Sequence, residues 1–394
     1  MNIAEFEKEI ETFQKSGDYK EPLAFGIARV DCAKTAPDRV LQATFAAVNY
    51  KENFKSAAVF QNALKLCGES LEIGGAELIA PINARFINEA LNLFEPFIDE
   101  ATGDAHKNVQ VLIALAKIGS DSLADYRVVF LFEDVAPKSV EAVYLKLYAL
   151  STGKAALRSL NLDGAFGVLP NVAWVENEPI ELDWLRENEI ELKLRGEFPK
   201  IDYVDKFPRY LQHIIPADNT RILDGSKVRF GAHIAAGTTI MPGASYVNFN
   251  AGTTGASMIE GRISSSVVVG AGSDVGGGAS ILGVLSGTSG KPITIGKNTL
   301  LGANSVTGIP LGDGCIVDAG IAVLEGTKIA IDDKEAIEIA KVNPSFHVSG
   351  EKTQIVKGGD LAGLHGIHYR VNSQTGQTQA FRSKREVRLN AELH

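Results

Sequence analysis

The sequence predicts a mixed α/β N-terminal region followed by a parallel β-helix and a short C-terminal extension. Three observations carry this. Residues 1–215 alternate helical and strand-like apolar patterns, residues 216–332 repeat with a period of six, and residues 333–394 return to ordinary polar and strand-like patterning. These ranges are the expected domains.

In the first region, apolar positions recur at helical spacing in "IAEFEKEIETFQ", "NFKSAAVFQNALKLC", "NARFINEALNLFEPFI" and "SVEAVYLKLYALS". Between them lie the strand-like runs "PLAFGIARV", "NVQVLIALAKI" and "YRVVFLFE". Helices alternating with strands suggest layers on a sheet. Around 214–221, "IIPADNTR" supplies Pro, Asp and Asn, the composition of a boundary.

In the second region the in-phase residues are Val228, Ile234 and Ile240, then Val247, Thr253 and Ile259, then Val269, Val275 and Ile281. Ile295, Leu301, Leu311, Val317, Val323 and Ile329 complete the series. An aliphatic every sixth residue, commonly followed by Gly or another small residue, is the hexapeptide signature of a parallel β-helix. Three hexads close one coil, so Val228 to Ile329 makes five to six coils, a prism roughly 25 Å long at about 4.8 Å per coil. A sandwich would instead show period two, with turns every 8–12 residues.

Three intervals break the phase. Ile259 to Val269 and Leu301 to Leu311 each span ten residues instead of twelve, and Ile281 to Ile295 spans fourteen, which predicts a projecting loop at "GVLSGTSGKP". Solenoids place functional surface at such departures. The first break holds Glu260-Gly261-Arg262, charged residues in a run of Gly, Ala, Ser, Thr, Val and Ile. A carboxylate there is costly unless it is paired or faces a cleft. It can act as a general base, act as a nucleophile, or form an ion pair with Arg262 that stabilises the break.

The third region predicts a charged or helical exit at "AIDDKEAIEIAKVN", a strand pair within "TQIVKGGDLAGLHGIHYRVNSQTGQTQAF" and a polar tail.

Composition excludes several functions. A formal charge of −9, without a Lys/Arg-rich run, argues against nucleic acid. No stretch reaches the roughly 18–20 apolar residues of a membrane span, and the charged amphipathic start is not a signal peptide, so a soluble cytoplasmic protein is expected. Cys32, Cys67 and Cys315 form no CxxC pair and are expected as buried small hydrophobes. "GAGSDVG" is GxGxxxG inside the hexads, and "SGKP" lacks the rest of a Walker loop. Of the seven histidines, only His233 lies in the hexads, too few for a three-imidazole zinc site there.

A trimer of such prisms has long clefts between neighbours, suited to an extended ligand such as an acyl-coenzyme A. Gly277, Ser280 and Ala303 offer small residues for its pantetheine arm, and Arg262, Lys357 and Arg370 offer cations for its phosphates. Structural or solvated roles are the alternative for each.

The stretch "NFNAGTTGASMIEGRISSSVVVGAGSDVGGGASILGVLSGTSGKPITIGKNTLLGANS", with "IVKGGDLAGLHGIHYRVNS", closely resembles the tetrahydrodipicolinate N-succinyltransferases, in the subgroup with a MIEGR motif. The resemblance runs from about Thr220 to Ser373, and residues 1–215 contribute no motif to it. It implies a left-handed β-helix, a homotrimer with active sites between subunits, and succinyl transfer from succinyl-CoA to the amino group of ring-opened tetrahydrodipicolinate. No tightly bound cofactor is implied. It puts the catalytic carboxylate on Glu260, as acyl-anhydride nucleophile or general base, and the substrate-carboxylate arginine on Arg221. It puts succinyl-CoA contacts on Arg262, Gly277, Ser280, Ala303, Asp318, Ala319, Gly326, Lys357, Arg370, Val371, Asn372 and Ser373. Two departures stand out: Asp318 replaces a Glu, and the carboxylates that hold a trimer-axis magnesium in some members correspond here to Ser226 and Gly243/Ala244, so no metal ligand is carried over. Another CoA-dependent N-acyltransferase on this fold, or a non-catalytic binding module, is the rival reading.

Overall fold

The computed structural model describes residues 1–68, 74–284 and 290–389, with backbone only at residues 120 and 121. The chain forms two compact units: residues 1–149 with 159–208, and residues 150–158 with 209–394.

In the first unit, an antiparallel sheet runs in the order Val40–Phe45, Ala24–Cys32, Tyr126–Leu131, Glu77–Pro81. Its core is aromatic. Phe25 stacks on Phe130 at 5.8 Å and meets Phe60 edge-on at 5.9 Å, while helices Ile3–Gln14, Phe54–Leu66 and Ala84–Leu93 bury Phe6, Ile10, Leu64, Phe86 and Ile87 beside them. Each such side chain contributes about 1.5–3 kcal/mol on burial. The first helix starts at a capping box, in which Asn2 Oδ1 accepts from the Glu5 amide at 3.0 Å and Glu5 Oε2 accepts from the Asn2 amide at 2.9 Å.

One expected strand is a helix. "NVQVLIALAKI" forms Lys107–Leu115, burying Asn108, Val109, Leu112 and Leu115. The continuous apolar run hid a helical stripe, because short apolar runs fit either period. The cysteines also depart from expectation: Cys315 is buried, but Cys32 and Cys67 are only half-buried.

The second unit is the parallel β-helix, its two-residue strands stacked on three faces. The first face pairs Arg221–Ile222, Thr239–Ile240, Met258–Ile259, Asp274–Val275, Leu300–Leu301 and Ile316–Val317 in succession. The second pairs Tyr246–Val247, Arg262–Ile263, Ser280–Ile281, Val306–Thr307 and Ala322–Val323. The third pairs Gly252–Thr253, Val268–Val269 and Thr294–Ile295, with bridges at His233 and Leu311. Alternation along each strand sends one residue inward, and the whole in-phase series is buried.

Register explains the breaks. Ile263 stacks between Val247 and Ile281, and Thr307 between Ile281 and Val323, so both are inward positions that a strict period of six skips. Two residues are therefore missing from one corner each time, between Ile259 and Ile263 and between Thr307 and Leu311. The long interval runs from Ile281 to Ile295, where the third face resumes, and residues 285–289 of its expected loop lie outside the described residues.

The corner between the first and second faces repeats a left-handed backbone. Gly278, Asn304 and Gly320 have φ of 72°, 57° and 72°. Gly and Asn are the residues that tolerate this region, and a Cβ on Gly278 would strike the Asn304 side chain.

Lys328–Asp332 leads into helix Asp333–Val342 and pairs antiparallel with Thr353–Lys357. The hairpin of Ile367–Val371 and Thr378–Arg382 adds the next rung to the first face, with His368 opposite Ile316 and Tyr369 opposite Val317. Residues 150–158 pack on the helix as well. Arg158 (φ 68°) takes Asn250 Oδ1 on its amide at 2.7 Å and donates side-chain hydrogen bonds to Ser266 O at 2.6 Å and Thr294 Oγ1 at 2.9 Å.

Candidate active site

Glu260 and Gly261 form a shortened corner between the first and second faces, tied upward by Glu260 N to Val275 O (2.8 Å) and Gly278 N to Glu260 O (3.3 Å). Gly261 is obligatory there: a Cβ would press into the Ala279 carbonyl oxygen and lie 2.9 Å from that of Gly276. The Glu260 side chain is half-buried and reaches over Gly277, where a Cβ would be 3.5 Å from Oε2. No hydrogen bond or ion pair holds its carboxylate among the described residues. The ion pair with Arg262 does not form.

Arg262 turns along the second face instead. It donates from Nη2 to Ser280 Oγ at 2.7 Å and from Nε at 3.2 Å, consistent with the Arg262–Ser280 register. Above Glu260 the same corner continues as Gly276–Gly278, Gly302–Asn304 and Asp318–Gly320, linked by Asn304 N to Gly277 O and Gly320 N to Ala303 O, both 2.9 Å. Close backbone stacking forces small residues: a Cβ on Gly302 would lie 2.5 Å from Ala319 N. Glu260, Gly277, Ala303, Asp318 and Ala319 thus form one edge, three coil steps or roughly 14 Å long, with Arg262 and Ser280 beside it.

Gly326 lies on the opposite edge of the second face. The turn after Lys357 closes against it, Gly358 N donating to Thr327 O at 2.9 Å and Gly359 N to Glu325 O at 3.0 Å. Lys357 and Gly326 are exposed. Arg221 is an exposed first-face residue two coils below Met258, in register with Thr239 and then Met258. It does not meet Glu260 within one chain. Arg370 to Ser373 run into the C-terminal hairpin turn, where Asn372 Oδ1 accepts from the amides of Gln374 (2.9 Å) and Thr375 (3.3 Å), a turn-building role. Asp318 bonds His368 and Arg370 across the strand register, and His368 is a polar partner that sequence spacing did not reveal.

The magnesium positions do not fit a metal. Ser226 donates to Asp224 Oδ1 from its amide at 2.9 Å and its hydroxyl at 2.6 Å, bonds that hold the Asp224 carboxyl below its ordinary range. Residues 243 and 244 bring no donor side chain, and no group of three His, Cys, Asp or Glu residues gathers among the described residues. Cys315 offers no nucleophile: burial pushes its thiol up to about 11, and Sγ donates to Leu364 O at 3.2 Å. No helix among the described residues is long and apolar enough to cross a membrane.

Comparison with known proteins extends the likeness to the whole chain. Residues 4–167 match the model described as tetrahydrodipicolinate N-succinyltransferase N-terminal, residues 169–209 its middle counterpart, and residues 292–325 the hexapeptide repeat of succinyl-transferase. The first unit, which offered no motif, is therefore as characteristic of the family as the hexads. A 2,3,4,5-tetrahydropyridine-2,6-dicarboxylate N-succinyltransferase of Nitratiruptor sp. is 64% identical, covering 98% of this chain and 97% of its own length. One from Helicobacter pylori is 52% identical over the full length of both. A solved Campylobacter jejuni structure, described as a 2,3,4,5-tetrahydropyridine-2-carboxylate N-succinyltransferase, superposes with a TM-score of 0.92 at 54% identity, covering 98% of this chain and 99% of that one. The β-helix is accordingly the left-handed one of this fold, and the chain belongs to the tetrahydrodipicolinate N-succinyltransferase family.

Proposed function

We propose that this chain is a CoA-dependent N-succinyltransferase of diaminopimelate and lysine biosynthesis, acting in the cytoplasm on ring-opened tetrahydrodipicolinate, with Glu260 as its reacting carboxylate. The observation that carries the residue assignment is the unpartnered, half-buried Glu260 carboxylate beside Gly277, at the foot of an edge lined with small residues. A carboxylate held by an ion pair is a poor base, and one buried without a partner is costly. Glu260 is held by no ion pair among the described residues, and the small residues above it leave room along the edge for a pantetheine arm.

As general base, Glu260 takes a proton from the attacking amine while the N–C bond forms and the thioester C–S bond breaks. The coenzyme leaves as thiolate and recovers a proton. As nucleophile, the same oxygen displaces the thiolate first, giving a mixed anhydride that the amine then opens. Arg262, held through Ser280, offers its remaining donors to the coenzyme, with Gly277, Ala303 and Ala319 along the arm and Lys357 and Gly326 across the face. Arg221 takes a carboxylate of the acceptor. Because Arg221 stands two coils below Glu260 in one chain, we assign the complete site to the boundary between subunits of a homotrimer.

The test is thiol release. Protein mixed with succinyl-CoA and tetrahydrodipicolinate should release coenzyme A over many turnovers only when the acceptor is present, with at most one equivalent per site in its absence. Release with neither this acceptor nor any other amine would favour a binding module. Release with acetyl-CoA in preference to succinyl-CoA would favour another acyltransferase. Rapid quench with succinyl-CoA alone separates the two mechanisms, since only the nucleophile leaves a succinylated Glu260 peptide.

A further inference from the structure

At the upper end of the Glu260 edge, Asp318 is clasped from both sides. His368 Nε2 lies 2.7 Å from its Oδ1, and Arg370 Nε donates to its Oδ2 at 3.1 Å. His368 and Arg370 are two apart on one strand, so the pleat presents both on the same side, and the Ile316–His368 register sets that side over the Asp318 corner. An ionised carboxylate only accepts, so the imidazole bears its proton on Nε2. The Asp318 side chain is 40% exposed, that of His368 24% and that of Arg370 57%.

The clasp leaves a specific donor set free. Arg370 spends Nε on Asp318, and neither Nη group donates to a described residue. Two terminal nitrogens on a guanidinium fixed at its Nε form a fork that matches phosphate oxygens. Its location fits one part of the coenzyme. In an acyl-CoA the pantetheine arm separates the thioester from the phosphates, and three coils, roughly 14 Å, separate Glu260 from Asp318. We propose that Asp318 and His368 are positioning residues that hold Arg370 as a fork for the phosphate-bearing end of coenzyme A, and that Asp318 is not itself a coenzyme contact. This rests on the chain being a CoA-dependent transferase.

The experiment combines turnover with direct binding of adenosine 3′,5′-bisphosphate, a fragment of the coenzyme, to the full chain. Arg370→Met should weaken fragment binding about tenfold, the scale of one lost charge-assisted pair. Asp318→Asn and His368→Ala should each weaken it several-fold, with the same rise in KM for succinyl-CoA and none for the acceptor. Asp318→Asn added to Arg370→Met should cost less than a further twofold, because the positioning residue has nothing left to position. His368→Gln keeps an N–H near the Nε2 position and should restore binding to within about twofold, which a mere folding defect would not. Additive losses, or equal weakening of inhibition by pantetheine, which has no phosphate, would overturn the proposal. If the wild type releases no thiol with succinyl-CoA and any acceptor, the functional reading fails and takes this one with it. Unchanged fragment binding in Asp318→Asn, with wild-type turnover intact, defeats this one alone.

Discussion

The two shortened corners of the β-helix make the same deletion with opposite contents. Between Ile259 and Ile263 the chain carries Glu260, Gly261 and Arg262, and between Thr307 and Leu311 it carries Gly308, Ile309 and Pro310. At the second corner no charged group occurs: Ile309 is fully buried, Gly308 N donates to Val323 O at 2.8 Å, and Pro310 O accepts from Gly363 N at 2.8 Å. At the first, Glu260 N and Arg262 N are likewise paired, to Val275 O at 2.8 Å and Ala279 O at 2.7 Å, but a carboxylate is left over. A break in a repeat therefore shows where the coil can lose residues. Chemistry requires, in addition, a charged group that the coil does not consume.

Four substitutions test this difference. Glu260→Ala should lower turnover at least ~10²-fold, the scale of lost acid–base or covalent assistance, with an unchanged melting temperature. Near wild-type turnover would make the two corners equivalent. Gly261→Ala should cost about 2–3 kcal/mol in a urea titration, because its Cβ meets backbone oxygens that cannot yield locally. Gly277→Ala should leave stability alone, since its Cβ sits at ordinary contact distance from Glu260 Oε2, yet cut turnover about tenfold by placing a methyl group where the acyl donor is proposed to lie against that carboxylate. Gly308→Ala, the counterpart of Gly261→Ala, should cost under about 1 kcal/mol, because the atom met at 2.8 Å is the Cδ2 end of the Leu324 side chain. Equal costs at Gly261 and Gly308 would show that corner shortening, and not the backbone oxygens beneath, sets the price. A separate expectation concerns the acceptor: Arg221→Lys should raise its KM and leave that of succinyl-CoA unchanged, since a bidentate fork becomes a point charge.

How much of this was legible depended on whether the information is local. The hexads were, because each inward aliphatic repeats at fixed spacing, and the phase breaks located Glu260 without any structure. Ile263 and Thr307 escaped because they sit just past the deletions, where the count of six fails. The helix Lys107–Leu115 escaped because Val, Ile and Leu suit both periods. Gly277, Ala303 and Ala319 were candidates only through composition or resemblance, since local sequence does not separate them from Gly276 and Gly302, whose smallness the coil stacked above imposes. The Asp318–His368 bond joins residues 50 positions apart, and no local pattern encodes it.

The Arg158 clamp bears on how the chain can be divided. Its hydrogen bonds reach as far as Thr294, 136 positions along the chain, so a short piece of sequence from the middle of the first unit's range belongs physically to the second. A fragment beginning at Arg209 would contain every hexad and still lack a residue whose amide and side chain together tie three of its coils. The β-helix is continuous in space and interrupted in sequence, and its last strut is synthesised before its first coil.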